Sequence, residues 1–386
     1  MDFLFANILQ SSDSLGLNVL YENILLLFQG DNWKRVIMWV IGGLLIYLAI
    51  AKDMEPTLLL PMGFGTIIVN IPGVYEGALS TLFLAGISNE LFPLILFIGI
   101  GAMIDFGPIL TNPKLMIFGA AAQFGIFLTF VLASLFFPTE VAASIGIIGA
   151  ADGPTAIVVA QRLIKDPNFM HVTSAIMVAA YSYMALVPII QPPVIKALTT
   201  RKERLIRMPY KGKKVSKQTK ILFPIIITMV GGIVAPESID LIGFLMFGNL
   251  IRECGVLNSL SDTASKVLAN LITIFLGMTI ATQMTGSAFL KVDTLLILGL
   301  GLFAFIFDTA GGVLFAKFLN LFLKEKINPM IGASGISAFP MSGRVVHKMG
   351  LKEDPQNHLL MQSIGVNVSG QIASVIAGGM ILAFFG

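Results

Sequence analysis

Apolar residues run along this 386-residue chain in continuous blocks, not in the stripes every three or four positions that an amphipathic helix shows. Residues 36–51, 115–137 and 221–235 are three such blocks. Each approaches the ~20 residues that a helix needs to cross a hydrocarbon core, and about a dozen comparable elements recur along the chain. Lipid leaves no water to satisfy backbone N–H and C=O groups, so apolar blocks of this length predict helices. The expectation is an all-α, polytopic protein of the cell inner (plasma) membrane, crossing it many times. Residues 17–28 are shorter and more mixed, and predict an interfacial helix. The N-terminus also lacks the basic start of a cleavable signal peptide.

The blocks fall into two similar series. Gly42-Gly43 corresponds to Gly231-Gly232, Phe64-Gly65 to Phe247-Gly248, Gly101 to Gly277, Val158-Val159 to Val345-Val346, and Asp166-Pro167 to Asp354-Pro355. The separations lie between 176 and 189 residues, and the order is the same throughout. This predicts an N-terminal segment (1–32), a first transmembrane repeat (33–200), a basic loop (201–220) and a second repeat (221–386). Each repeat closes with a Gly-rich, Pro-containing segment, a short polar turn and a long apolar block. If both Gly-rich segments are broken or re-entrant helices at the centre, the halves are inverted; if both cross fully, they are parallel.

Composition narrows the class further. Hydrophobic residues make up 56% and charged residues 12%, against roughly a quarter charged in soluble domains. The net charge is only +3, but RKERLIRMPYKGKKVSKQTK at 201–220 holds nine Lys or Arg against one Glu. Between apolar blocks this marks a cytoplasmic loop and not a nucleic-acid surface. A lone Cys254 excludes an internal disulfide or a cysteine metal cluster, and His171, His347 and His358 have no metal-ligand spacing. No Walker loop is present, so ATP does not drive the chain directly.

Against this background a few polar positions stand out. VAASIGIIGAADGPTAIVVAQ (141–161) carries one charge in 21 residues, Asp152, at its middle. A carboxylate at that depth costs several kcal/mol unless paired, hydrated or protonated, which makes it a functional candidate first and a packing kink second. Gly149, Gly153 and Pro154 weaken the helix around it and free backbone carbonyls, as a site for a hard monovalent cation requires. The matching NPMIGASGISAFPMSGRVVHKM has no acid but offers neutral oxygens at Asn328, Ser334, Ser337 and Ser342, with Arg344 its only charge before His347-Lys348. Asn367, Ser369 and Gln371 follow in the next apolar block. Singly such residues serve helix packing as often as binding; with Asp152 they make up an oxygen set for an ion. Asp105 and Asp308 are further acids in apolar blocks. Asp105 reads as a segment-end carboxylate, while Asp308 is deeper and open to a second ion or proton. Tyr181 and Tyr183 bring hydroxyls into a third block, as anchors or as a proton relay.

The motifs DMEPTLLLPMGFGTIIVNIPG, GAMIDFGPILTNPK, GAADGPTAIVVAQRL, YSYMALVPIIQPP and NPMIGASGISAFPMSGRVVHKMG together resemble the beta subunits of sodium-transporting carboxylic acid decarboxylases, from about residue 53 to the C-terminus. That family includes the oxaloacetate, methylmalonyl-CoA and glutaconyl-CoA enzymes, and the chain is short for the oxaloacetate type. The resemblance implies a subunit that decarboxylates carboxybiotin and couples this, with uptake of a proton, to outward sodium transport. It implies partners as well: biotin-carrying and carboxyltransferase subunits, a small membrane-anchoring subunit, and further copies of the membrane subunit. Matched motif to motif, the family's aspartate falls on Asp152, its Asn-Gly-Ser series on Asn328, Gly332 and Ser337, its arginine on Arg344, its last asparagine on Asn367 and its tyrosine pair on Tyr181 and Tyr183. Sodium would then be held by Asp152, Asn328, Ser337 and Asn367, and the carboxylate of carboxybiotin by Arg344. Asp152, Arg344, Tyr181 and Tyr183 would serve catalysis, with Gly153, Pro154 and Gly332 shaping the site. The competing expectation is a sodium- or proton-coupled symporter of a small solute with the same architecture.

Overall fold

The computed structural model describes residue 25 and residues 30–72, 77–209 and 215–386. The interfacial helix expected at 17–28 lies outside the described residues apart from Leu25, as does the middle of the basic loop, 210–214. The described residues form helices and turns with no strand. We label the principal helices α1 (Trp33–Lys52), α2 (Pro56–Val69), α3 (Leu91–Met103), α4 (Met116–Ala122), α5 (Phe124–Ala133), α6 (Thr139–Gly146) and α7 (Gly153–Leu163). The remaining helices are α8 (Met170–Leu198), α9 (Lys217–Val234), α10 (Ile239–Glu253), α11 (Ala269–Ile280), α12 (Val292–Phe322), α13 (Met341–Glu353) and α14 (Leu360–Phe385).

Among the described residues seven helices are long and apolar enough to cross a membrane, or eight if Ala78–Gly86 and α3, bent by 70° at a short break, make one span. This is fewer than the dozen or so apolar blocks in the sequence. The difference is physical: a helix buried on all sides by protein is apolar all round just as a lipid-facing one is, so hydropathy alone overcounts. The segment Thr139–Ala150, buried from Val141 onward, is such a piece, and α2 is apolar but too short to cross by itself. Lipid-facing helices are recognisable by exposure. Ile50 on α1 is 70% exposed and Ile233 on α9 is 80% exposed.

Two of the helix crossings that depend on glycine pair matched positions of the two series. α3 crosses α10 so closely that a Cβ on Gly101 would stand 1.8 Å from the Leu245 carbonyl oxygen, and one on Gly248 2.0 Å from that of Ile98. α2 crosses α11 at Gly65, 2.7 Å from the Ala281 Cβ by the same measure, and at Gly277, 2.9 Å from the Pro61 Cβ. Close backbone approach of this kind takes the place of the hydrophobic drive that is absent between helices in lipid.

Charged side chains collect at the two ends of the bundle. At one end, where α8 finishes, Arg204 pairs with Glu353 (2.7 Å), Arg207 with Asp354 (2.6 Å), and Lys220 with Glu253 (3.3 Å) and Asp105 (3.6 Å). This is the basic end. Asp105 is therefore a segment-end acid beside a lysine, its side chain 42% exposed. At the far end Arg162 bridges Glu90 (2.8 Å) and Asp240 (2.9 Å), and His171 meets Asp293 (3.2 Å).

Two broken segments occupy the middle. The first comprises α6, the 3-10 turn Ile147–Ala150 and α7. α6 follows α5, whose Phe130 packs on Phe385 at the far tip of α14, and α7 finishes at Leu163 against Gly386. Both ends of this segment thus lie at the far end. The second comprises the 3-10 helix Pro329–Gly335 and α13. Asn328 at its start donates to the carbonyls of Arg204 and Ile206 (2.9 Å each), and Glu353 at its finish accepts from Arg204. Both of its ends lie at the basic end. The segments enter from opposite ends, turn back, and meet at their tips, where the Ser337 N–H and hydroxyl donate to the Ala150 carbonyl at 3.0 and 2.9 Å. Around them α4, α5, α8, α12 and α14 form the largest buried core, with Ile145, Ile147, Ile148, Ala333 and Ile336 fully enclosed.

Candidate functional site

The chain reverses at Ala151, which takes a left-handed conformation (φ 52°), and Asp152 is extended (φ −118°, ψ 91°) before α7 begins. Left-handed backbone at a non-glycine residue is strained, so the surrounding packing must hold it. Asp152 is the N-cap of α7: one carboxylate oxygen, Oδ1, accepts the Thr155 N–H at 3.2 Å. Pro154 in the first turn removes one N–H that would otherwise go unpaired. The other oxygen, Oδ2, accepts from Ser374 Oγ (2.7 Å) and Gln371 Nε2 (3.0 Å) on α14. Asp152 is only 3% exposed, and all of these donors are neutral. No lysine or arginine pairs with it among the described residues. Neutral dipoles stabilise a carboxylate only in part, so a bound cation or a proton would remove the remaining penalty.

Oxygen ligands surround this carboxylate. Asn367 on α14 donates Nδ2 to the Ile336 carbonyl at 2.7 Å, one residue before Ser337, and its Oδ1 has no partner among the described residues. The Thr155 and Tyr181 hydroxyls are likewise buried without hydrogen-bond partners among the described residues. The Tyr181 ring lies over Gly153 so closely that a Cβ there would be 2.5 Å from it, which explains the glycine. No group of three or more His, Cys, Asp or Glu suited to a metal ion occurs among the described residues. One carboxylate among amide, hydroxyl and backbone oxygens suits a singly charged cation better than a transition metal.

Of the residues singled out in the sequence, the structure brings Asp152, Gly153, Pro154, Tyr181, Ser337 and Asn367 to this junction. Asn328 is not brought there: its Nδ2 ties the start of the second segment to 204–206 and its Oδ1 accepts the Met330 N–H at 3.1 Å. Gly332 packs on α12, where a Cβ would meet the Gly312 carbonyl oxygen at 2.0 Å. The Tyr183 hydroxyl donates to the Leu298 carbonyl, so the two tyrosines part company. Sequence reading missed Thr155 and Ser374 and gave Gln371 no specific partner. A signal was there: Asn367, Gln371 and Ser374 stand at i, i+4 and i+7 and so share one face of a largely apolar helix.

Arg344, one turn into α13, faces a different space. It lines a cavity of about 760 Å³ together with Lys52, Lys196, Lys348 and Lys352, against Asp53, Glu55 and Glu353. Cations outnumber acids there, which favours an anion. Burial pushes the Glu55 carboxyl above the usual carboxylate range, against the pull of Arg344 and of a hydrogen bond with Thr57. Glu55 also has a left-handed backbone (φ 36°).

Comparison with known proteins adds a family. A family model described as "Na+-transporting oxaloacetate decarboxylase beta subunit" matches residues 34–385. The methylmalonyl-CoA decarboxylase subunit beta of Propionigenium modestum is 47% identical over 93% of this chain and 97% of that protein. The glutaconyl-CoA decarboxylase subunit beta of Acidaminococcus fermentans is 44% identical over 93% and 95%. The oxaloacetate decarboxylase beta chain of Klebsiella pneumoniae is 42% identical over 95% and 98%.

Proposed function

Because this chain belongs to the family of beta subunits of sodium-transporting decarboxylases, we propose that it decarboxylates carboxybiotin delivered by a partner and couples that reaction to outward sodium transport. It is a multi-pass inner-membrane subunit of a sodium-translocating decarboxylase. The observation that carries the coupling is Asp152: a buried carboxylate with neutral donors only, at the junction of two segments that open toward opposite ends of the bundle. An ion bound there is one tip movement away from either side.

In this reading sodium takes Asp152, Ser337, Asn367 and the free Thr155 and Tyr181 oxygens, while Asn328 acts at a distance by anchoring the second segment. Arg344 holds the biotin carboxylate in the basic-end cavity with a planar two-point fork, and the neighbouring lysines draw the anion in. The basic end is then cytoplasmic, in keeping with the charge bias of membrane loops. The partners are biotin-carrying and carboxyltransferase subunits, with a small membrane-anchoring subunit and further copies of this chain. Relatives that are decarboxylase subunits leave the symporter reading without support. Alignment with the Klebsiella oxaloacetate chain runs over 435 positions, more than the 386 residues here, which favours an acyl-CoA substrate for the complex.

We also read the fold as two inverted repeats, 33–200 and 221–386, around the loop 201–220. The support is reciprocal: the matched glycines make the matched crossings, and the matched broken segments enter from opposite ends. The deciding experiment is turnover of free carboxybiotin by the purified complex, captured through its biotin on avidin. Sodium should stimulate wild-type turnover. Absence of a biotinylated partner, or turnover indifferent to sodium, removes the proposal.

A further inference from the structure

A second buried acid stands outside this site. α4 ends at Ala122 and α5 starts at Phe124, with Gln123 between them at φ −72° and ψ 0°. The first amides of a helix have no partner within it, and here the Gly125 N–H is taken by Asp308 Oδ1 on α12 at 2.5 Å. Asp308 is fully buried, and its Oδ2 has no partner among the described residues. The charged groups on its own helix, Asp293 and Lys317, pair with His171 and Glu203, and the titratable groups on the elements packed against that helix are Glu140, His171, Tyr181, Tyr183 and Lys196, with Asp152 just beyond the 3-10 turn. None of them hydrogen-bonds or pairs with Asp308, and among the described residues the Gly125 N–H is its one hydrogen-bond donor.

We propose that Asp308 is a second ion-handling site, separate from Asp152, and that its ligand is a proton. A carboxylate this deep with one neutral donor carries the full burial penalty, and a proton removes it with a single bond. Sodium would need several oxygens in its shell, whereas a proton needs none beyond the acid's own. An amide would accept the Gly125 N–H equally well, so a structural role alone does not call for an acid. The site is also in contact with the transport junction. A Cβ on Gly149 would lie 3.2 Å from the Gly125 carbonyl carbon, and Gly149 precedes Ala150, whose oxygen receives Ser337. Loss of the proton would place an unpaired charge beside the tip of the first segment, so the tip's position and the proton are linked.

Infrared difference spectroscopy of the intact, reconstituted complex tests this without relying on the sodium role of Asp152. Near neutral pH a carboxylic-acid carbonyl band that shifts in D2O is expected in the wild type and in Asp152→Asn, unchanged by sodium, and absent in Asp308→Asn. Asp308→Asn should keep wild-type sodium protection from proteolysis. A band of the same frequency that survives in the double variant Asp152→Asn, Asp308→Asn overturns the proposal. So does loss of sodium protection in Asp308→Asn, which would make the site a sodium site. Should Asp308→Asn fail to assemble with its partners, Asp308→Glu serves instead: a displaced band supports the proposal and an unmoved one overturns it.

Discussion

At the scale of single residues, charge and neutral polarity separate by their response to pH. If Asp152 binds sodium or a proton in turn, apparent sodium affinity weakens as pH falls, because protonation removes the charge that attracts the ion. Sodium-dependent protection of the solubilised complex from proteolysis reports this without turnover, since a bound ion stabilises the state that binds it. Asp152→Asn should show no protection at any pH. Ser337→Ala and Asn367→Ala each remove a neutral ligand, which costs about 1 kcal/mol, roughly a factor of five in affinity, with the pH dependence intact. Affinity independent of pH in the wild type would sink the shared-site mechanism. Glu55 gives a second pH effect of known sign. Its carboxyl, pushed up by burial, stays protonated to higher pH than usual and then ionises beside Arg344. Capture of the biotin carboxylate should therefore weaken as pH rises, and Glu55→Gln should flatten that trend in KM. Arg344→Ala and Arg344→Lys should both slow turnover, because an ammonium lacks the two-point fork; normal rates in both would remove its role.

At the scale of helices, the glycine crossings set what the bundle tolerates. Gly101→Ala and Gly248→Ala drive a methyl group into a carbonyl oxygen, and neither backbone can retreat without opening the α3–α10 crossing. Overpacking of this sort costs about 1–3 kcal/mol, which a thermal unfolding series in detergent would register as a clear drop in Tm. Gly43→Ala and Gly299→Ala place the same methyl group in open space and should leave Tm unchanged or slightly raised, as alanine is the better helix former. Equal effects at all four positions would show that helix propensity, not close approach, governs them.

At the scale of the whole molecule, the proposed inverted halves make a geometric demand. The loop after the first broken segment and the loop after the first half lie at opposite ends of the bundle. Asn168 and Ser216 are exposed representatives of the two. In a background with Cys254 replaced, a cysteine at position 168 should react with a membrane-impermeant maleimide added outside cells, and one at 216 only after the cells are opened. Reaction of both from the same side contradicts the inverted arrangement and the assignment of the basic end to the cytoplasm.

The sequence by itself determined the membrane class, the separate status of Asp152 and the chain positions of both broken segments. Each follows from a local rule: the length of apolar blocks, the burial penalty of a lone charge, and the weakening of helix by Gly and Pro. It did not determine how many apolar blocks cross, because lipid and protein interior select the same side chains. It also left the partners of the charge open. Gln371 and Ser374 lie more than two hundred residues from Asp152 and are brought to it by the packing of α7 on α14. Asn328 and Ser337 look alike in sequence as neutral oxygens in one segment, yet one ties the segment to the basic end and the other touches Ala150. Tertiary structure alone decided between them, because a polar side chain's role depends on which unpaired backbone group it meets, and that pairing is set by where the broken segments turn.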